Sequence, residues 1–132
     1  MKLAFADVYR FVAEPASTDV SATQMLDAGG ANMQPQGHVQ TLVRMLTYAQ
    51  NPQTACAAPR WRYNAGLEIN VEAAMNPATV EGLRALGHRT EVIVDSYQDF
   101  GAGQFIWRLG DPASEGYVAA SDARCDGQAV AF

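Results

Sequence analysis

The stretch MQPQGHVQTLVRMLTYAQNPQTACAAPR, residues 33–60, determines the helical part of the fold. Its first half carries apolar residues at helical spacing, which predicts a principal helix over 35–50. In its second half Asn51 precedes Pro52, the pattern of a helix cap followed by a proline in the first turn. A short second helix is therefore expected, with Pro59 as its end. The apolar stripe of the first helix consists of Val39, Leu42, Val43, Leu46 and Ala49.

Further helices are predicted on both sides of this stretch. Residues 1–12 follow an apolar helical period. Ser21, with Gln24 three residues later, forms a capping-box pattern that starts a short helix. Downstream, Asn76 is a cap in front of a first-turn proline, and Gly87 ends the helix that follows.

Five strand-like runs follow the second helix, marked by alternating side chains and by β-branched and aromatic residues. Turns containing proline and glycine, such as residues 110–112, separate the last two runs. The pattern predicts a single α+β domain over 1–132, with helices packed on one side of a mainly antiparallel sheet. The runs cover residues 61–63, 67–71, 90–94, 104–109 and 117–120.

Composition excludes several classes of function. The chain has 14 acidic and 9 basic residues and a formal charge of −5, which argues against binding to a nucleic acid backbone. No apolar run approaches the roughly 18 residues that span a bilayer. Asp7 and Arg10 interrupt the apolar N-terminal stretch, which makes it a poor signal peptide. We therefore expect a cytoplasmic protein without a membrane partner.

Cysteine and histidine give no sign of a metal site. Cys56 and Cys125 are far apart and belong to no CxxC pair, so we expect reduced thiols, with a disulfide between them left open. His38 and His88 have no further ligands at zinc-binding spacing. We expect neither a metal nor a cofactor.

Residues 33–60 resemble the C-terminal half of the small subunit of gamma-glutamyltransferases (gamma-glutamyltranspeptidases), which are N-terminal-nucleophile hydrolases. Residues 30–132 share this likeness without interruption. Residues 1–20, MKLAFADVYRFVAEPASTDV, are similar to the end of the family's large subunit, and we place the junction at 21–29. The chain thus resembles two family pieces joined across an internal deletion. The motifs are APRW at 58–61, LEIN at 67–70, LRALGHR at 83–89, FGAGQFIWRL at 100–109, ASDAR and DGQA.

The resemblance implies a partial N-terminal-nucleophile-hydrolase-like fold, gamma-glutamyl transfer or hydrolysis, glutathione metabolism and a small gamma-glutamyl ligand. In the family the nucleophile is a threonine, freed by self-cleavage, whose amine acts as the base. No threonine here lies in a sequence that resembles that cleavage site. We expect a truncated, non-catalytic protein; the alternative is a component of an acyl-transfer enzyme whose nucleophile comes from another polypeptide. The threonines are Thr18, Thr23, Thr41, Thr47, Thr54, Thr79 and Thr90.

One part of the family's active site has a counterpart. The family places a Gly-Gly pair before the MQPQGH-like helix, and its backbone N–H groups form the oxyanion hole. Counting back from Met33, the pair falls on Gly30 and Ala31, with Gly29 before it. These three residues are candidate oxyanion donors through the main chain. We favour a flexible hinge instead, because an oxyanion hole without a nucleophile has no catalytic use.

Other conspicuous side chains favour structural roles. Gln34, Gln36 and His38 could form a polar site, but the first turn of the main helix is the simpler interpretation, with His38 hydrogen-bonded to a loop. Trp61 and Trp107 could form an aromatic binding face, but aromatic residues in strands usually pack.

Acidic residues give two weak alternatives. Glu68 and Glu72 could be an acid/base pair, yet on a strand they share a face without an evident partner. A second set could suggest calcium, but its spacing matches no EF-hand loop and turns between strands are ordinarily acidic. That set is Asp111, Glu115, Asp122 and Asp126.

The resemblance also implies an incomplete sheet. Phe105, Trp107 and Val118 would then need another surface to cover them, and bare sheet edges pair readily with a second chain. We expect a homodimer, with exchange of the 1–12 helix between protomers as one arrangement.

Overall fold

A computed structural model describes residues 33–109, 111 and 113–130 of the chain. Within these residues the chain forms helices α1 to α4 and strands β1 to β5. The helices are Gln34–Leu46, Pro52–Ala57, Pro77–Ala85 and Ser96–Phe100. The strands are Trp61–Ala65, Glu68–Glu72, Arg89–Ile93, Gln104–Arg108 and Tyr117–Ser121.

The principal helix ends earlier than its apolar stripe predicts. It stops at Leu46 instead of residue 50 because Ala49 adopts a φ of 51°. A left-handed residue of this kind costs about 1 kcal/mol and turns the chain out of the helix. The amide of Gln50 then donates to the carbonyl of Arg44 at 3.0 Å. This turn places Asn51 at the start of α2.

Both asparagine caps predicted within the described residues are confirmed. The side chain of Asn51 accepts a hydrogen bond from the amide of Thr54 at 2.8 Å. That of Asn76 accepts from the amide of Ala78 at 2.9 Å. Gly87, at a φ of 94°, follows α3 where the sequence predicted its end.

The α+β class is confirmed, and all five predicted strands are present with ends shifted by two residues or fewer. The expected single sheet is wrong, because the described strands form two sheets. In the first, β1 and β2 are antiparallel while β2 and β3 are parallel; in the second, β4 and β5 are antiparallel. The parallel pair follows from α3, which crosses over between β2 and β3. No helix is predicted from the sequence at α4, because five residues are too few to give a periodic signal.

Two apolar clusters hold these layers together. Ile69, Val71 and Val80 pack α3 against the first sheet. Cys56, Phe105 and Ala120 pack α2 against the second. Phe105 is only 3% exposed, so the expectation that it needs a second chain to cover it is wrong. No helix of the described ranges is long and apolar enough to cross a membrane.

Glutamine side chains take the place of a neighbouring strand at two sheet edges. Gln36 donates to the carbonyl of Tyr63 at 3.2 Å and accepts from its amide at 2.7 Å. Gln40 bonds Trp61 in the same two ways, at 2.7 and 3.1 Å. Gln53 does so with Ser121, at 2.9 and 3.2 Å. Since Gln36 and Gln40 lie one turn apart on α1, the helix closes the outer edge of β1.

Candidate functional site

Four charged side chains that flank strands of the two sheets meet in the interior of the fold. We call Arg60, Glu72, Asp122 and Arg124 the buried ion-pair network. Arg60 directly precedes β1, Glu72 ends β2, and Asp122 and Arg124 follow β5. Their side chains are between 0% and 8% exposed. Charges this deeply buried are tolerated only when each is paired and hydrogen-bonded.

Arg60 joins three parts of the chain. Its Nη2 lies 2.7 Å from Oδ2 of Asp122. Its Nη1 donates to the carbonyls of Phe100 and Gly101 at 2.9 and 3.0 Å. Its backbone amide donates to Oε2 of Glu72. The guanidinium therefore fixes the loop between α4 and β4 against the segment after β5.

Arg124 forms a bidentate ion pair with Glu72. Its Nε donates to Oε1 at 2.6 Å, and its Nη2 donates to Oε2. Its Nη1 also lies 2.8 Å from Oδ1 of Asp122. Further donations reach the carbonyls of Cys56 and Ala58 at the end of α2. Bidentate pairing of this kind is the strongest form of side-chain hydrogen bonding, and it orients both partners.

Asp122 corrects one expectation from the sequence. The sequence favours an ordinary acidic turn residue here, but Asp122 is only 1% exposed and both of its carboxylate oxygens accept hydrogen bonds. Oδ2 accepts from Arg60 and from the amide of Gly103 at 2.8 Å. Oδ1 accepts from both the amide and the side chain of Arg124. Among the described residues, no three His, Cys, Asp or Glu side chains are arranged to hold a metal ion.

The sequence offers no evident partner for Glu72, and the structure supplies one. Its partner, Arg124, lies 52 residues away in sequence. Glu68, on the same strand, pairs at the surface with Arg89 at 2.9 Å. The two glutamates therefore have separate cationic partners and do not act on each other as an acid and a base.

Hydrogen bonds favour the charged forms of Glu72 and Arg124 although both side chains are buried. Burial by itself would raise the pKa of Glu72, but hydrogen bonds from Arg124 and from the Arg60 amide lower it. Burial likewise opposes the charge of Arg124, and Glu72 and Asp122 outweigh that effect and raise its pKa. A carboxylate held in this way has no proton to donate near pH 7, so Glu72 is unsuited to general acid catalysis.

Cys56 lies beside the network and is also chemically inert. Burial, reinforced by the charge of Asp122, raises the pKa of its thiol to about 12. Its Sγ donates to the carbonyl of Gly103 at 3.4 Å. A cysteine is nucleophilic as the thiolate, which this environment disfavours. Both Cys56 and Cys125 are free thiols in the structure.

The remaining candidates from the sequence are dispersed. Gly29, Gly30 and Ala31 lie outside the described residues, as do the predicted helices at 1–12 and after Ser21. Trp61 lies in the first sheet and Trp107 in the second, so the two do not share a binding face. Trp61 instead lines a groove of about 630 Å³ over the first sheet. The other residues lining that groove include Arg44, Tyr63, Ile69, Leu83 and His88.

Three of the four network residues occur in the motifs that carry the family resemblance: Arg60 in APRW, and Asp122 and Arg124 in ASDAR. A sequence model of the family described as Gamma-glutamyltranspeptidase matches residues 19–132. The chain belongs to the gamma-glutamyltranspeptidase family. Among curated proteins, no sequence matches the chain.

Solved structures agree with this membership. A cephalosporin acylase from Bacillus halodurans is 34% identical with a TM-score of 0.75, over 86% of this chain and 20% of its own. A gamma-glutamyltranspeptidase from Pseudomonas nitroreducens is 19% identical with a TM-score of 0.66, over 91% of this chain and 66% of its own. An acivicin-inhibited gamma-glutamyltranspeptidase is 16% identical with a TM-score of 0.60, over 87% and 67%. The likeness to the last two shows the shared fold, and the chain spans a fifth of the acylase and about two thirds of the others.

Proposed function

We propose that the polypeptide of residues 1–132 is a non-catalytic member of the gamma-glutamyltranspeptidase family, with a role in binding or self-association. The observation that carries this proposal is the position of the described threonines. Each of them lies inside a helix or strand or directly against its end, so that cleavage in front of it would divide the element or remove contacts at its end.

The family mechanism makes this position decisive. An N-terminal nucleophile needs a free amine next to its hydroxyl, since the amine serves as the base. Thr41, Thr54 and Thr79 lie within α1, α2 and α3. Thr90 lies in β3, where its Oγ1 accepts a hydrogen bond from Nε of Arg84 at 2.7 Å. Thr47 follows α1 immediately, and its amide donates to the carbonyl of Val43.

The interior supports the same proposal, because its charged groups are already paired with each other. Acyl transfer would need a nucleophile, a base and oxyanion donors brought together. Glu72 and Asp122 accept hydrogen bonds from arginines and amides, and Cys56 remains a neutral thiol. The network accordingly serves to join the segment after β5 to the rest of the fold.

A second candidate is a component of an acyl-transfer enzyme whose nucleophile is supplied by another polypeptide. One observation favours it. The acivicin-inhibited gamma-glutamyltranspeptidase is described as showing critical roles for its C-terminus in autoprocessing and catalysis. In this chain the segment after β5 is anchored in the interior through Asp122 and Arg124. A gamma-glutamyl ligand would belong to this second role.

Release of p-nitroaniline from gamma-glutamyl-p-nitroanilide by the purified chain tests the proposal. We expect no turnover above buffer, and Thr23→Ala should change nothing. Turnover that survives extensive purification and is lost in a threonine-to-alanine variant would contradict the proposal. Turnover that appears only on co-expression with a threonine-bearing polypeptide would establish the second candidate in its place.

A further inference from the structure

The two edges of the first sheet differ in whether side chains bond their backbone groups. Gln36 and Gln40 close the outer edge of β1 by bonding Tyr63 and Trp61. No described side chain bonds the backbone of β3 on its outer side in this way. An exposed strand edge with free N–H and C=O groups can pair with another strand. Within the described residues, the outer edge of β3 is therefore the available edge of this sheet.

The outward-facing residues of β3 can be identified from its inward bonds. The amide of Arg89 donates to the carbonyl of Leu67 at 2.8 Å, and the carbonyl of Ile93 accepts from the amide of Ala73 at 3.0 Å. Arg89 and Ile93 thus direct their backbone groups toward β2. Because these directions alternate along a strand, Thr90 and Val92 direct theirs outward.

Charge distinguishes the ways in which two copies of this edge could pair. In an antiparallel pair related by a twofold axis, each residue whose backbone groups point outward must lie opposite another such residue. The axis therefore passes through residue 90, 91 or 92. An axis through Glu91 sets this glutamate directly against its own copy, which is destabilising. An axis through Val92 leaves Glu91 opposite Ile93. An axis through Thr90 sets Arg89 opposite Glu91 twice, once on each side.

We propose that two copies of this chain associate through β3, antiparallel and centred on Thr90, with reciprocal Arg89–Glu91 pairs. This names the surface for the self-association in the proposed function and therefore rests on that role. The backbone groups of Arg89 and Glu91 point toward β2, so these residues face the second copy as non-hydrogen-bonded pairs, in which opposing Cα atoms lie only about 4.5 Å apart and side chains meet closely. Both side chains are exposed and accessible to a second copy.

Neighbouring residues fit the same arrangement. In this register His88 lies opposite Val92, which is 48% exposed in the single chain. The contact of Arg89 with Glu68 inside the chain joins side chains that are 73% and 51% exposed. Pairs that exposed contribute little, so Arg89 remains available. Charges on an edge discourage pairing with unrelated strands, and a self-complementary pair directs the edge toward a copy of this chain.

Sedimentation equilibrium of the full chain from micromolar to millimolar concentration measures the association. We expect a reversible dimer at twice the chain mass of 14.2 kDa. Arg89→Glu and Glu91→Arg should each be monomeric, because each sets like charges opposite one another. Mixing these two variants should restore a dimer, since each then supplies the charge that the other lacks. Glu115→Arg, an equal change of charge in the β4–β5 turn, should leave dimerisation unchanged.

Three results would overturn the inference: a 14.2 kDa monomer throughout the range, a dimer that neither β3 variant weakens, or a mixture that stays monomeric. Circular dichroism of each variant should match the parent chain, which separates loss of pairing from loss of folding. None of these outcomes depends on turnover, so a failed dimer leaves the absence of catalysis untouched. Turnover by a confirmed dimer would contradict only the non-catalytic role.

Discussion

Replacement of Glu72 by glutamine should destabilise the fold severely, although it exchanges one oxygen for a nitrogen. Arg124 makes two contacts with this carboxylate, and the two side chains are 8% and 3% exposed. Breaking a buried ion pair by removing one charge costs about 3–5 kcal/mol. Asp122 still contacts Nη1 of Arg124, so we expect the lower end, about 3 kcal/mol, out of a total stability of about 5–15 kcal/mol.

Urea unfolding of Glu72→Gln measures this cost, with Glu68→Gln as its matched control. Both substitutions lie on β2 and both remove a carboxylate from an arginine, but the Glu68–Arg89 pair is exposed. The control should change stability by no more than about 0.5 kcal/mol. The midpoint of Glu72→Gln should fall with little change in slope.

A double-mutant cycle with Arg124→Met separates the pair from its surroundings. Residues in one ion-pair network couple by about 0.5–3 kcal/mol, and we expect about 2 kcal/mol here. Equal costs for the two glutamine variants, or a coupling near zero, would refute the structural role assigned to the network.

Three further predictions follow from the same contacts. The pKa of Glu72 is lowered in the folded state, so its contribution to stability is present above the usual value of 4.5 and is lost as pH falls below it. Acid unfolding should accordingly be shallower for Glu72→Gln than for the parent; parallel curves would contradict this. Gln40→Leu should cost about 2 kcal/mol in urea unfolding by leaving the amide and carbonyl of Trp61 unpaired, while the exposed Gln98→Leu should cost almost nothing. A disulfide-based thiol reagent should modify Cys125 in the native state and Cys56 only after denaturation, and rapid native modification of both would disprove the burial of Cys56.

Local signals in the sequence were sufficient for most of the fold. Asn51 and Asn76 mark helix starts because a cap acts on amides two or three residues away. Alternation located the five strands for the same local reason. The early end of α1 could not be predicted, because the residue that turns the chain out of the helix is Ala49. Alanine favours helices and is not a residue type that signals a turn or a positive φ.

The candidate site could not be predicted in the same way. Arg60 meets Asp122 across 62 residues, and Glu72 meets Arg124 across 52. A lone glutamate on a strand and an aspartate after one look like surface residues until their partners are placed. The resemblance identified the APRW and ASDAR motifs but not what they build, since pairing at such distances is a property of the folded chain.

Intact-mass spectrometry of the freshly purified protein tests the central claim most directly, because every N-terminal nucleophile must be created by cleavage of the chain behind it. We expect one species at 14.2 kDa that persists on prolonged incubation. Two fragments whose masses sum to that of the chain plus one water, the second beginning at a threonine, would show that the chain does generate a nucleophile and would contradict a non-catalytic role.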